Sequence, residues 1–101
     1  MKPFAEKLRE DRRLVILRLL SEQPQYRMNS SNIYLGLNHL GVVGSRDDVL
    51  TDLHWLKDQG LLVLEDVPEV PHLALCALTA RGQDVAGGAA RVPGVSVPHA
   101  R

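Results

Sequence analysis

Apolar residues recur at intervals of three and four along the first quarter of the chain, which is the spacing of one face of an α-helix. Pro3 suits the first turn of such a helix, and Gln23 with Pro24 marks its end, so the pattern predicts a helix over residues 3–22. The apolar residues on this face are Phe4, Leu8, Val15, Ile16, Leu19 and Leu20.

The apolar surface of this first helix extends further round than one flat contact requires, because Leu14 and Leu17 lie beside the main stripe. Two explanations stay open: a small domain that encloses the helix on several sides, or a second copy of the chain that packs against it. In the second case the predicted dimer interface comprises Leu8, Val15, Ile16 and Leu19.

A second, shorter helical pattern follows a group of Asn and Ser residues that are suited to the N-cap position. Ile33 and Leu37 lie one turn apart and predict a helix over residues 32–40. Gly41 and Gly44 interrupt this pattern, because glycine favours turns over a continued helix.

A third helix is predicted over residues 46–59. Ser45 is an N-cap residue with Asp48 three positions later, which is close to a capping box. Leu53 lies in its apolar stripe, and Gly60 stands where a C-terminal glycine cap is expected.

Two apolar runs of strand length come next, over residues 61–64 and 72–78. The intervening residues 65–71 are acidic and contain proline, so we interpret the whole as a two-stranded hairpin with a loose tip. This order of elements predicts a mainly α-helical fold in which a small β-hairpin lies at the edge of a helix-turn-helix core.

The C-terminal part of the sequence divides at a pair of glycines. A last short helix is expected to begin after Thr79 and to stop at Gly87 and Gly88. Residues 89–101 show no clear periodicity, so they are predicted to form a flexible or partner-ordered tail outside a folded domain of residues 1–88.

Chain length, net charge and cysteine content exclude several classes of protein. A chain of 101 residues is the size of one domain, and a formal net charge of zero excludes a polybasic protein that acts through bulk charge. A single cysteine excludes an internal disulfide and fits a reducing compartment. The N-terminus lacks a signal-peptide pattern, and the apolar run 14–17 is far too short to span a bilayer, so we expect a cytoplasmic location.

The residues that could hold a metal or perform catalysis do not form a recognisable site. His72 and Cys76 share one face of the predicted strand 72–78 but would be about 13 Å apart, which is too far for one ion. The sequence contains no nucleophile elbow, no phosphate-binding glycine loop and no paired carboxylates of an acid–base site, so no enzyme activity, metal or other cofactor is predicted. The possible nitrogen and sulfur ligands are His39, His54, His72, His99 and Cys76.

Two motifs give the chain a family resemblance. Leu53-x-x-Leu56-x-x-x-Gly60-Leu61-Leu62 resembles the end of a recognition helix that runs into a first wing strand. Leu78-Thr79-x-x-Gly82-x-x-x-Ala86 resembles the exit from the wing into the last helix. Together they are similar to the winged helix-turn-helix domain of MarR, ArsR and PadR transcription regulators, and the small size resembles short winged-helix proteins of Mu-like prophages.

This resemblance implies a homodimeric regulator that binds double-stranded DNA, with the third helix in the major groove. Arg46 is the strongest candidate among the side chains that would face the bases, because arginine can bind guanine through two hydrogen bonds. Trp55 has two interpretations, an edge of the core or an exposed anchor, and we favour contact with a partner. The base-facing candidates are Ser45, Arg46, Thr51, His54 and Trp55, and the phosphate-binding candidates are Lys57 and Arg27.

The distribution of charge departs from the pattern of such regulators. Residues 1–27 carry seven Lys and Arg against four Asp and Glu, whereas residues 28–84 carry three against eight. The third helix and the wing are therefore expected to be acidic, and DNA binding would draw its positive charge from the basic residues Lys7, Arg9, Arg12, Arg13 and Arg27. The alternative is a winged-helix module that binds another protein through this acidic face, without a direct role at DNA.

Overall fold

The computed structural model describes residues 1–98 and contains four α-helices and three strands. The order of helices and hairpin predicted from the sequence is confirmed, with one additional strand. Within residues 1–98 no helix has the length and apolar character needed to cross a bilayer. The elements are α1 (Phe4–Ser21), β1 (Arg27–Asn29), α2 (Ser30–His39), α3 (Arg46–Asp58), β2 (Leu62–Asp66), β3 (Ala74–Leu78) and α4 (Ala80–Gly87), with a 3-10 turn at Pro24–Tyr26.

Side-chain caps set the starts of three helices. Asn29 accepts a hydrogen bond from the N–H of Asn32, so α2 begins two residues before its predicted start. Ser45 and Asp48 form the predicted capping box at α3, and the hydrogen bond from the backbone N–H of Ser45 lowers the pKa of Asp48 below its usual value. Thr79 caps α4 by accepting from the N–H of Gly82.

The sheet has the order β1-β3-β2, and both pairings are antiparallel. β2, β3 and their connecting residues 67–73 form the hairpin that we call the wing. β1, which pairs Met28 with Cys76, was not predicted because three residues are too few to show an alternating pattern. His72 lies before β3 with a φ of 67°, so the prediction that it shares a strand face with Cys76 is wrong.

The core lies between the sheet and the helices. Alternate residues of β3 face it, and Cys76 among them is fully buried. The largest of the fully buried side chains are Ile16, Leu17, Leu20, Ile33, Leu37, Leu53, Leu56, Leu61 and Leu62.

Burial also determines the reactivity of Cys76. Removal of the thiolate from water raises the pKa of the Cys76 thiol to about 12, so it stays protonated at neutral pH. We expect no reaction of the folded chain with a thiol reagent at pH 8, and one equivalent of reaction after unfolding in urea. Fast labelling of the folded chain would show that the core opens locally around β3.

The C-terminal segment 89–98 differs from the flexible or partner-ordered tail predicted for it. Val92 and Val95 are only 5% and 7% exposed and join the core cluster. The N–H of Ser96 donates to the carbonyl of Glu10 in α1 at 3.2 Å. The predicted break at residue 88 therefore does not end the packed structure, because the two valines are buried in the core and Ser96 bonds to α1.

A buried ion cluster joins α1 to α3. Asp52 is 1% exposed and accepts from Nε of Arg12 at 2.5 Å and from Nε of Arg13 at 3.0 Å. Arg12 also donates to the carbonyl of Val43 at 2.9 Å, and Arg13 to the carbonyl of Gly94 at 3.1 Å. These contacts fix α3 against α1, the loop before α3 and the C-terminal segment.

Candidate nucleic-acid interface

The solvent-facing side of α3 is the surface that a recognition helix would present to DNA. Val49, Leu53 and Leu56 face the core, and the opposite side is exposed. Thr51 and His54 are exposed on that side, as predicted, together with the carboxylates of Asp47 and Asp58. The N-terminal turn of α3 adds Ser45 and Arg46 to this surface, which we call the α3 face.

Arg46 has the most defined geometry on the α3 face. Its guanidinium carbon lies 4.3 Å from the centroid of the Tyr34 ring, which α2 supplies. No carboxylate lies within 4.0 Å of Arg46 in the part of the chain that the structure describes. Stacking on an aromatic ring restricts the side chain while leaving the N–H edge of the guanidinium free to donate. Tyr34 was not predicted from the sequence, because its partner Arg46 lies on another helix.

Ser45 and His54 have different surroundings from Arg46. The Ser45 hydroxyl oxygen already accepts from the N–H of Asp48 at 3.0 Å, so the main role of this side chain is to cap the N-terminus of α3. His54 lines a cavity of about 420 Å³ between α3 and the wing, which is lined mainly by apolar residues of both. His72 lines the same cavity from the wing and also a second one of about 390 Å³ beside Arg46.

Trp55 lies away from the surface on which its contact with DNA was predicted. Its ring lies under the guanidinium of Arg13, 3.9 Å from carbon to centroid. A Cβ on Gly94 would come within 2.6 Å of the same ring, so only glycine permits this approach, and its φ of 100° is also one that favours glycine. Trp55 is thus half-buried beneath the C-terminal segment, away from the α3 face.

The two predicted phosphate ligands lie apart from the N-terminal end of the α3 face. Lys57 is exposed in the last turn of α3, about 16 Å along the helix from Arg46. Arg27 pairs with Ala77 in the sheet, and strand alternation directs it to the side opposite the buried Cys76. The structure therefore does not bring Arg27 to the α3 face.

The charge near the α3 face differs from the charge obtained by counting basic and acidic residues in the sequence. Arg12 and Arg13 were predicted to supply positive charge for DNA, but both are 8% exposed and bind Asp52. Asp52 in turn is buried and adds no repulsion at the surface. The wing is acidic as predicted: Glu65, Asp66 and Glu69 are exposed, and residues 59–80 include no lysine or arginine.

The predicted dimer interface on α1 is only partly accessible. Ile16 is fully buried in the core of its own chain, so its assignment to an interface is wrong. Leu8, Val15 and Leu19 are partly exposed on one side of α1, and Val15 and Leu19 also pack against the core. Phe4, which is 76% exposed, lies on the same side and was not assigned to the interface.

The candidate metal ligands are dispersed. Across residues 1–98 no three His, Cys, Asp or Glu side chains lie close enough together to hold an ion. His54 and His72 line the same cavity between α3 and the wing, His39 is exposed at the end of α2, and Cys76 is buried in the sheet. His99 lies outside the described residues.

Comparison with known proteins identifies one relative over nearly the whole chain and another over part of it. No family model matches the sequence. The uncharacterised protein gp26 of Escherichia phage Mu is 43% identical over 94 residues, which are 93% of this chain and 94% of the phage protein. An uncharacterised protein of Haemophilus influenzae is 50% identical over 62 residues, 61% of this chain and 60% of that protein.

Solved structures share the fold. A MarR family transcriptional regulator from Streptomyces coelicolor, crystallised in complex with DNA, has a TM-score of 0.58 at 18% identity. A mutant of ZitR from Lactococcus lactis in apo form has a TM-score of 0.56 at 27% identity. The matches cover 79% and 83% of this chain, but only 50% and 57% of those proteins.

These comparisons confirm the fold predicted from the sequence motifs, a winged helix like that of MarR-type regulators. They also establish that this chain and the phage protein are homologous, since the similarity extends over nearly all of both chains. The protein therefore belongs to the same family as gp26 of phage Mu.

Proposed function

We propose that the protein is a small DNA-binding transcription regulator that acts as a homodimer and inserts α3 into the major groove. The observation that carries this proposal is Arg46, exposed at the N-terminal end of α3 and stacked on Tyr34. The N-terminal residues of a recognition helix are those that contact base edges. The similarity to a MarR family regulator solved in complex with DNA supports the proposal at the level of the fold.

Four exposed residues of α3 have a role in this proposal. Arg46 binds guanine through O6 and N7 with two N–H donors. Thr51 and His54 face the next bases along the groove, and Lys57 binds a phosphate at the far end of α3. The carboxylates of the wing keep it away from the DNA backbone, so α3 supplies most of the specificity.

The proposal is tested first by selecting genomic DNA fragments with the purified protein at moderate salt. A near-palindromic site bound by a dimer is the expected result, because a two-fold symmetric protein binds symmetric half-sites. Recovery of no sequence by a well-behaved dimer would overturn the DNA-binding proposal.

We expect Arg46→Ala to weaken binding to the selected site by about tenfold to a hundredfold and to relax the base preference at one position. Binding is measured by fluorescence anisotropy on matched and singly substituted duplexes. Arg91→Ala removes the same charge from an exposed position in the C-terminal segment and serves as the control. Equal losses for the two variants would mean that Arg46 contributes only general charge.

A second candidate function is a protein-binding module. It is favoured by the wing, where Glu65, Asp66 and Glu69 are exposed beside Val70, which is 46% exposed. The partner would present lysine or arginine next to an apolar side chain, as at the polar rim of an interface. The fragment selection separates the two functions, because this candidate predicts no enriched sequence.

A further inference from the structure

We infer that the C-terminal segment 89–98 positions α3 for DNA, through a contact in which Arg13 connects the carbonyl of Gly94 with Trp55 of α3. This inference rests on the DNA binding of the proposed function, but it gives the C-terminal segment no contact with DNA. Its consequence is that opening of the segment lowers the affinity for DNA while the winged helix stays folded.

The contact lies on one flank of α3, between the core and the α3 face. Asp52 and Trp55 are three residues apart in the helix and are therefore neighbours on this flank. Trp55 also lies one turn after Thr51, which is exposed on the α3 face. A displacement of the Trp55 ring therefore reaches the part of α3 that is proposed to bind the bases.

Arg13 of α1 holds three groups at this flank. Its Nε donates to Asp52 at 3.0 Å, and its Nη1 donates to the carbonyl of Gly94 at 3.1 Å. Its guanidinium carbon lies 3.9 Å from the centroid of the Trp55 ring. A guanidinium is planar and rigid, so it can stack on a ring and donate from its edge at the same time. One side chain thus connects α3 to the backbone of the C-terminal segment.

The C-terminal segment is attached to the domain at a few residues. Val92 and Val95 are buried in the core, and Ser96 donates from its backbone N–H to Glu10 and from its hydroxyl to Asp11. A cavity of about 680 Å³ lies between the segment and α1. All the helices and strands of residues 1–98 precede the segment, so it can open without breaking a hydrogen bond of the sheet.

The effect on DNA binding follows from the population of the closed state. When only the closed state binds well, the apparent dissociation constant rises in inverse proportion to the fraction of closed molecules. A variant in which about one molecule in ten is closed is therefore expected to bind DNA about tenfold more weakly than the wild type.

Gly94→Ala tests the contact, because a Cβ would lie 2.6 Å from Cζ2 and 2.7 Å from Cη2 of the Trp55 ring. We expect about tenfold weaker binding to the selected duplex in fluorescence anisotropy. We also expect stronger quenching of the Trp55 fluorescence by acrylamide, which reports on the segment directly because the chain has one tryptophan. Unchanged far-UV circular dichroism would show that the helices are kept.

Gly88→Ala is the matched control for backbone strain. Its φ of 88° is close to the 100° of Gly94, so alanine is disfavoured at both positions. A Cβ at Gly88 would meet its nearest atom, in Pro98, at 3.8 Å, which is an ordinary contact. This variant should change neither the affinity for DNA nor the quenching of Trp55. Equal effects of the two variants would overturn the inference.

Trp55→Phe separates the contact from a general loss of stability. Phenylalanine lacks the two outer indole atoms that the new Cβ would meet. Gly94→Ala should therefore weaken DNA binding by less than about threefold in the Trp55→Phe background, against about tenfold in the wild type. An equally large loss in both backgrounds would overturn the contact, since strain at residue 94 alone would explain it.

Ser96→Ala is a milder variant that leaves Gly94 and Trp55 unaltered. It removes the hydroxyl that donates to Asp11, so the closed state loses one hydrogen bond. We expect about threefold weaker binding to DNA and stronger quenching of Trp55. This variant decides the matter if Gly94→Ala does not fold.

The outcomes distinguish this inference from the function on which it rests. A wild-type chain that selects no DNA sequence would overturn the proposed function and the positioning of α3 together. A wild-type chain that binds its site, with variants that expose Trp55 but bind DNA equally well, would overturn the positioning alone.

Discussion

Asp52→Asn is expected to lower the free energy of unfolding by about 3–5 kcal/mol, the cost typical of removing one partner from a buried ion cluster. The change conserves the size of the side chain but removes the negative charge that faces Arg12 and Arg13. An asparagine amide offers one acceptor oxygen, and its NH₂ group would face a guanidinium donor. Two buried positive charges would then share one neutral acceptor.

Urea unfolding at neutral pH measures this loss, and an unchanged m-value shows that the same structure unfolds. Asp58→Asn, an exposed change on the same helix, provides the matched control and should alter stability by about 0.5 kcal/mol at most. The loss of unfolding free energy in Asp52→Asn should also persist in high salt, because salt screens buried charges poorly. Equal stability of the two variants would mean that water reaches the cluster and solvates the arginines.

Gly82→Ala is the second change with a large expected effect, a loss of about 3 kcal/mol or failure to fold. A Cβ at this position would lie 2.0 Å from the carbonyl oxygen of Leu61 and 2.6 Å from Cδ1 of Leu78. The Leu61 carbonyl already accepts from the N–H of Thr79 at 3.1 Å, so it cannot turn away without losing that bond. Helix α4 would have to move outward from Leu61 and β3. The gain in helix propensity, about 1 kcal/mol, is smaller than this cost.

Gly87→Ala is the control for the same substitution in the same helix. A Cβ there would meet no atom within 4 Å, so the alanine should be neutral or stabilise the chain by up to about 1 kcal/mol. Thermal unfolding followed by circular dichroism compares the two variants. A Gly82→Ala protein as stable as the wild type would show that α4 does not pack as closely against the sheet as described.

Helix ends and exposed helix faces, which depend on neighbouring residues, were predicted well from the sequence. The capping box at Ser45 and Asp48 and the stop at Gly60 are local signals, and α3 ends within one residue of its predicted boundary. The exposure of Arg46 and His54 followed from the apolar stripe on the other side of α3, because one face of a helix fixes the opposite one. The winged-helix fold was recognisable because its motifs also consist of residues that lie close together in the sequence.

What the sequence did not predict depends on contacts between distant segments. Arg13 and Trp55 looked available for DNA, since each has polar or aromatic character and neither belongs to a clear core stripe. Both are covered by residue 94, which lies 81 positions from Arg13. Tyr34 was missed because its contact with Arg46 joins two helices. Periodicity describes one element at a time, so it contains no information on such pairings.

The packing of the C-terminal segment on α1 has a consequence for the synthesis of the chain. Ser96 binds the carbonyl of Glu10, and its hydroxyl donates to Asp11, so nearly the last described residues complete the surface of the first helix. Translation delivers α1 well before this segment, and contacts of such high sequence separation form slowly. The native packing of α1 therefore cannot be completed during synthesis until residue 96 has left the ribosome.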